Sequence, residues 1–335
     1  MDLALDPAID PAIDPTIDPA MDPVIDPDVV ILDIPNIPDI PKVKKSWELN
    51  FDTRKPKLLI SDLDDHKIPK ILESYDWLLE LEIDHQNIKI IKNLPKNLID
   101  LSLFDNKIKE IPIDSIPTSI KNLNLSHNKI SKLENIPLSV TQLEISHNNI
   151  SKCDIANLNL EKLSMDYNKM ESVPELPASL INFDISHNML NANINLNCNL
   201  KKFDMSVNFV KQIDHLPDSL IKFLAYNNEI KIIKMFSPNL QYIDMSDNKI
   251  FWIPQLPASL IEADFSNNSI NIISNNINNN YKTGKLIEGN FKIKLLNNPL
   301  MNVNIEILND PRVIHNKAQI QNKYIQIIFE KNIEI

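Results

Sequence analysis

The chain has 335 residues, with two glycines, 23 prolines and a formal net charge of −11. Ten aspartates and no Lys, Arg or Glu lie in residues 1–41, so this segment carries nearly all of the net charge. Neither the acidic segment nor the nearly neutral body has the basic surface that binding to a phosphate backbone needs, which argues against a nucleic-acid partner.

The sequence also shows no targeting signal that we recognise. The N-terminus has no basic region followed by an apolar one, and no stretch approaches the roughly 20 apolar residues of a membrane helix. Cys153 and Cys198 fall about two repeats apart in the register given below, which exceeds the ~7 Å reach of a disulfide, so we expect free thiols. These features predict an intracellular, cytoplasmic protein that does not bind membranes.

Residues 1–41 are predicted to form a disordered acidic tail. Asp-Pro recurs every four residues from Asp6 to Asp26, and three Ile-Pro steps follow. Proline fixes φ and removes a backbone donor, and the aspartates repel one another, so helix and sheet interior are both disfavoured. Two interpretations stay open, a simple-sequence spacer and a docking motif for a basic or aromatic-lined groove.

Residues 42–77 are predicted to cap the N-terminal end of the repeat domain that follows. A cap is needed because a stack of repeats exposes its core at each end. The segment contains Trp47, Trp77 and an amphipathic run from Ile68 to Tyr75, which indicates one helix.

Residues 78–309 contain an internal repeat of the form apolar-x-x-apolar-x-apolar-x-x-Asn-x-apolar, in eleven copies between residues 78 and 300. From Asn128 to Asn268 its spacing is 20 residues, and Gln86 takes the asparagine position of the first copy. The asparagines of the pattern are Asn106, Asn128, Asn148, Asn168, Asn188, Asn208, Asn228, Asn248, Asn268 and Asn298.

Each copy has apolar residues with a period of two, which predicts a short strand with alternate side chains facing a core. Stacked copies give a β-rich solenoid whose parallel strands line a concave face. About nine residues remain per copy for the return, too few for a helix with two turns, so we predict an extended or 3-10 convex side. The asparagine amide is expected to face inward and form a ladder that satisfies backbone groups where each strand ends.

The repeat resembles the leucine-rich repeat, as in LNLSHNKI (123–130) and IDMSDNKI (243–250). Many copies are preceded by Pro-x-Ser, as in IPTSI (116–120) and LPASL (176–180). This short Pro-x-Ser-Leu subtype is similar to the repeats of bacterial effectors and to the FNIP-like repeats of amoebae and their giant viruses. The resemblance implies a recognition module, located in a host cytoplasm or a virion if the chain is viral.

Two segments interrupt or follow the repeats. The Asn-rich stretch 271–290 lengthens one interval to about 30 residues and is predicted to be a loop insertion. Residues 310–335 have apolar side chains at helical spacing from Ile320 to Ile328 and are predicted to form a C-terminal capping helix.

The outward strand positions supply a candidate interaction face. Four of the seven histidines share one column, and His127 and His147 are expected to be near neighbours. The residues chosen as candidates are Tyr167, Asp184, His187, Asp204, Leu224, Tyr226, Tyr242, Asp244 and Asp264. These side chains either reflect what the repeat ordinarily contains or form an acidic strip with aromatic anchors for a protein with a basic surface.

The sequence offers no candidate for catalysis, and we predict neither an enzyme nor a cofactor or metal site. No nucleophile–base pair stands out, and a phosphate-binding glycine loop is excluded with two glycines. Some similar effectors are ubiquitin ligases, but about 35 residues without cysteine follow Leu300, too few for their catalytic domain. Protein recognition is therefore the predicted function, with a structural role in a virion or other large assembly as the alternative.

Overall fold

The structure is a computed structural model, and it describes residues 57–60, 63, 66–196, 198–273, 292–300 and 311–315, all within the unit Pro38–Ile335. The predicted acidic tail 1–41, Trp47 and most of the predicted insertion 271–290 lie outside the described residues. The same holds for residues 316–335 of the predicted C-terminal helix.

Thirteen short strands form one parallel sheet that runs the length of the described domain. Its strands in sheet order are β1 Lys57–Leu59, β2 Glu80–Glu82, β3 Asp100–Ser102, β4 Asn122–Asn124, β6 Gln142–Glu144, β8 Lys162–Ser164, β9 Asn182–Asp184, β11 Lys202–Asp204, β13 Lys222–Leu224, β15 Tyr242–Asp244, β17 Glu262–Asp264, β19 Lys292–Lys294 and β20 Val313–Ile314. From β2 to β19 each strand belongs to one copy of the repeat. The predicted leucine-rich-repeat solenoid is confirmed.

The core lies on one side of this sheet because the middle residue of each three-residue strand faces inward. Leu143, Phe203 and Ala263 illustrate the position, and each is at most 1% exposed. Phe183, Phe203 and Phe223 pack their rings in consecutive turns, with centroids 5.7 and 5.8 Å apart. Burial of these apolar columns is the main stabilising contribution, since a single turn cannot bury its own apolar face.

The return side of the solenoid is extended, as predicted. Its two- to four-residue strands, all parallel, are β5 Lys132–Leu133, β7 Lys152–Cys153, β10 Ile194–Asn195, β12 Gln212–His215, β14 Ile232–Ile233, β16 Trp252–Ile253 and β18 Ile272–Ile273. They form one three-stranded and two two-stranded sheets. Short strands suit this side because few residues remain in each turn and proline recurs among them.

The Pro-x-Ser element turns the chain back towards the main sheet. In the copy at 177–180, the Leu180 amide donates to the Pro177 carbonyl at 3.1 Å, which closes a tight turn. The Ser179 hydroxyl donates to the carbonyl of Leu160 in the preceding turn at 2.8 Å. Proline favours the turn conformation, and the serine hydrogen bond connects the turn to the preceding one; Ser119, Ser219 and Ser259 make the equivalent bond, whereas the Ser139 hydroxyl has no partner among the described residues.

The N-terminal side differs from the predicted helical cap. The described part of 42–77 contains a 3-10 helix at Lys70–Ser74 and the strand β1, which pairs with β2. The Leu72 amide donates to Pro69 and the Tyr75 amide donates to Leu72, the spacing of a 3-10 helix. The predicted helix is present there as a short 3-10 helix, and the strand β1, which was not predicted, forms the edge of the main sheet.

At the other end, the few described residues of the predicted insertion 271–290 and of the predicted helix 310–335 include strands, and the rest of both segments lies outside the described residues. Ile272–Ile273 belongs to the strand β18 rather than to a loop, and it pairs with β16. Val313–Ile314 is the strand β20 rather than helix, and it pairs with β19. Strand is preferred there because the open edge of β19 needs hydrogen-bond partners: the amides of Ile293 and Leu295 donate to the Arg312 and Ile314 carbonyls.

Candidate functional site

The outward side chains of the main sheet form a surface that we call the sheet face, the one predicted to be concave. Parallel pairing without offset places equivalent residues side by side, for example Asp184 beside Asp204 and Leu224 beside Asp244. The last outward column of the strands, from β2 to β19, reads Glu82, Ser102, Asn124, Glu144, Ser164, Asp184, Asp204, Leu224, Asp244, Asp264 and Lys294.

Beneath the point where the strands β3 to β19 of the main sheet end, a buried asparagine bridges neighbouring turns. The Asn168 Oδ1 accepts the Ile150 amide at 2.9 Å, and its Nδ2 donates to the carbonyls of Ile145 and Met165 at 3.0 and 3.1 Å. The same arrangement recurs along the column, and all ten asparagines of the repeat pattern are at most 8% exposed. Through these amides the turns share backbone hydrogen bonds, which fixes the register of the sheet face above them.

Two adjacent acidic residues of the sheet face, Asp184 and Asp204, are half-buried. Burial raises the pKa of Asp184 and of Asp204, while the amides of Ser186 and Ser206 each donate to the respective carboxylate at 2.9 Å and oppose that rise. Within the described residues neither carboxylate forms a salt bridge, whereas Asp264 lies 3.2 Å from the Lys294 Nζ. Two adjacent carboxylates are therefore partly desolvated without a paired cation, an arrangement that a positively charged ligand would relieve.

Apolar and aromatic candidates lie around these carboxylates. Leu224 continues the acidic column, and Tyr226 is half-buried two residues further on. Burial and the negative charges of Asp204 and Asp244 raise the pKa of the Tyr226 hydroxyl. Tyr242 lies in the other outward column, between Lys222 and Glu262, and is 40% exposed. A shallow groove of about 320 Å³ crosses this region, and its lining includes Lys162, Asp184, Lys202, Asp204, Lys222 and Leu224.

A stack of aromatic rings runs along the edge where the strands end. The ring centroids of His127 and His147 are 4.0 Å apart, those of His147 and Tyr167 are 4.1 Å apart, and those of Tyr167 and His187 are 3.9 Å apart. Phe104 extends the stack at 4.8 Å from His127. Burial and the neighbouring histidines lower the pKa of His147, so the neutral ring is favoured inside the stack.

Of the nine candidate residues, only Tyr167 and His187 belong to this stack. The repeat register had placed the rings in one column, but it does not determine side-chain rotamers. All four rings of the close stack sit on residues with φ between 50° and 56°, a left-handed conformation that the turn imposes on this position. Histidine or tyrosine recurring at a fixed 20-residue spacing was the signal from which the stack could have been found.

The metal-ligating side chains and the two cysteines bear on the predicted absence of a metal or cofactor site. In the described part of the chain, no group of three or more His, Cys, Asp or Glu side chains could hold a metal ion. Cys153 and Cys198 are free, and burial raises the pKa of the Cys153 thiol to about 11, so it is a poor nucleophile. No helix among the described residues is long and apolar enough to cross a membrane.

Comparison with solved structures agrees with the fold. YopM from Yersinia enterocolitica has a TM-score of 0.59 and 25% identity, covering 68% of this chain and 48% of YopM. InlJ from Listeria monocytogenes has a TM-score of 0.55 and 17% identity, covering 74% of this chain and 54% of InlJ. The leucine-rich-repeat protein FLRT2, in an octameric complex with Latrophilin 3 and Unc5D, has a TM-score of 0.55 and 17% identity, covering 76% of this chain and 90% of that one.

These similarities define the class of structure. The chain has the leucine-rich-repeat fold, and it spans about half the length of YopM. No protein-family model matches the chain, and no curated protein matches it.

Proposed function

We propose that this chain is a non-catalytic recognition module that binds a partner protein with a basic surface through its sheet face. The observation that carries the proposal is the pair of half-buried carboxylates, Asp184 and Asp204, set beside Leu224 and Tyr226 on an open sheet. Charge complementarity steers a basic partner, and the aromatic and aliphatic side chains supply area that can be buried.

The rigid register of the solenoid supports this role. Its strands and buried asparagines hold the outward columns in a fixed register, so recognition does not require ordering of the surface on binding. Similar folds occur in complexes with other proteins, as FLRT2 does with Latrophilin 3 and Unc5D. The intracellular, cytoplasmic location and the FNIP-like subtype expected from the sequence remain predictions alongside this function.

Charge reversal on the sheet face tests the proposal. The variant Asp184→Lys/Asp204→Lys is compared with Glu134→Lys/Glu175→Lys, which makes the same charge change at exposed positions outside the sheet face. Partners captured from cell extract by the immobilised wild-type chain are then quantified for each variant by mass spectrometry. We expect the sheet-face variant to lose at least tenfold of the specific partner signal and the control to retain it; equal retention by both variants contradicts the proposal.

A further inference from the structure

An apolar patch occupies the edge of the main sheet where three consecutive strands end. It comprises Tyr167, Met189, Val207 and Phe209, which we call the edge patch. Tyr167, Met189 and Phe209 are 44, 47 and 53% exposed, and Val207 is half-buried. Scattered exposed apolar residues are ordinary, but here they occupy neighbouring turns, roughly 5 Å apart by strand spacing.

The repeat itself does not demand apolar residues at these positions. The position before the buried asparagine, filled by Val207 here, is Asn227, Asp247 and Asn267 in the next three turns. The position after it, filled by Met189 and Phe209, is polar in the turns from Asn106 to Asn168 and from Asn228 to Asn268, where it holds Lys107, Lys129, Asn149, Lys169, Glu229, Lys249 and Ser269; in the turn of Asn298 it is Pro299. The fold therefore tolerates polar side chains at both positions, and its stability does not explain the edge patch.

Val207 gives a second and independent indication. Its φ is 55°, in the left-handed region, where a β-branched side chain clashes with its own backbone. The other residues of this column are Asn, Asp, His or Tyr, none of them β-branched. A strained residue that is also partly exposed costs folding free energy without burying much surface, which is typical of a position kept for binding.

The charges around the edge patch indicate the chemistry of its ligand. Asp204 lies three residues before Val207 in the same turn, about 10 Å away for an extended chain. Asp184 is its neighbour in the preceding strand, and neither has a salt bridge within the described residues. His187 lies between Asp184 and Met189 in sequence. Apolar contact area thus adjoins two half-buried carboxylates that form no salt bridge within the described residues, although the charge of Lys222 favours the ionised form of Asp204.

We propose that the edge patch is the docking site for an extended basic segment of a partner protein. One large apolar side chain of that segment packs on Val207 and Phe209, and its arginine or lysine side chains reach Asp184 and Asp204. The inference rests on the proposed function. It adds the place where the partner docks, the edge patch, and the chemistry of the segment that docks there, which is extended, basic and partly apolar. A second copy of this chain is a poorer occupant, because the chain has no excess of basic side chains, with 34 Lys and Arg against 45 Asp and Glu.

Selection from a peptide library tests the assignment. Random twelve-residue peptides displayed on phage are selected against the full chain, and synthetic copies of enriched peptides are titrated by fluorescence anisotropy. Three variants are compared with wild type: Val207→Asn/Phe209→Lys, which introduces residues found at these positions in other turns, Phe209→Lys alone, and Asp184→Asn/Asp204→Asn. The matched control is Asp247→Asn/Lys249→Gln, at the positions of Val207 and Phe209 two turns further on.

We expect enriched peptides with net positive charge and at least one large apolar residue. Their Kd should rise at least tenfold in all three patch and acid variants, and stay within twofold in the control. Failure to enrich any peptide, enrichment of acidic peptides, or unchanged affinity for Phe209→Lys each overturns the assignment. A further outcome separates the two proposals. If partner capture is lost in Asp184→Lys/Asp204→Lys but unchanged in Val207→Asn/Phe209→Lys, the edge patch is not the docking site, while the proposed function is still supported.

Discussion

Replacing Asn168 by alanine removes hydrogen bonds within its own turn and to the preceding turn. The Ile150 amide, in a fully buried residue, loses its acceptor, and the carbonyls of Ile145 and Met165 lose a donor. An unsatisfied buried N–H costs about 1–3 kcal/mol, and the carbonyls add less because each has a second lone pair. We therefore expect the free energy of unfolding to fall by about 1–3 kcal/mol.

Thermal and urea denaturation followed by circular dichroism measure this change, with a fall in Tm of roughly 2–4 °C per kcal/mol for an array of this size. Hydrogen exchange adds a local readout, since protection of the Ile150 amide should be lost. Asn191→Ala is the control: Asn191 is exposed, and its replacement should change stability by less than about 0.5 kcal/mol. An Asn168→Ala variant that melts like wild type and keeps Ile150 protected would refute the reasoning.

Three further predictions concern single positions. Val207→Asn should raise stability by about 1 kcal/mol, because asparagine tolerates the φ of 55° better than valine, and a lower Tm would contradict this. The pKa of His147 is lower in the folded chain than the value near 6.5 of an unfolded chain. Its contribution to stability is therefore present above pH 6.5 and is lost as the pH falls below that value. Denaturation at pH 7.5 and at pH 5.5 should show a smaller difference in stability for His147→Gln than for wild type. Cys153, with a thiol pKa of about 11 against an ordinary 9.0, should react with iodoacetamide at pH 8 roughly a hundredfold more slowly than an exposed thiol, and equal rates would show that it is not buried.

Much of the fold follows from the sequence because one periodic constraint is repeated in every turn. Inward apolar residues and one inward asparagine recur at the same spacing, so a register found at Asn128 holds at Asn268. The register resumes after the 30-residue interval, where Asn298 accepts the Ile270 amide at 2.9 Å. Periodicity is reliable here because a shifted turn would leave buried backbone groups unpaired.

The ends and the side-chain arrangement follow much less from the sequence. Local periodicity near Leu72 and Val313 does not show that the segments nearby pair as strands with the two ends of the main sheet, β1 with β2 and β20 with β19. Stacking of His147 on Tyr167 depends on rotamers that a left-handed backbone selects, which a column assignment cannot specify. The edge patch was not anticipated because the turn around Val207 departs from the repeat only in residues that the core does not constrain.

Carboxylate footprinting of the complex tests most directly whether the sheet face binds the partner. Wild-type chain, alone and bound to the partner it captures, is labelled at exposed carboxylates with glycine ethyl ester and analysed by mass spectrometry. We predict that labelling of Asp184, Asp204 and Asp244 falls in the complex while that of Glu134 and Glu175 is unchanged. Protection of Glu134 and Glu175, with the sheet-face aspartates labelled as in the free chain, would contradict recognition through the sheet face.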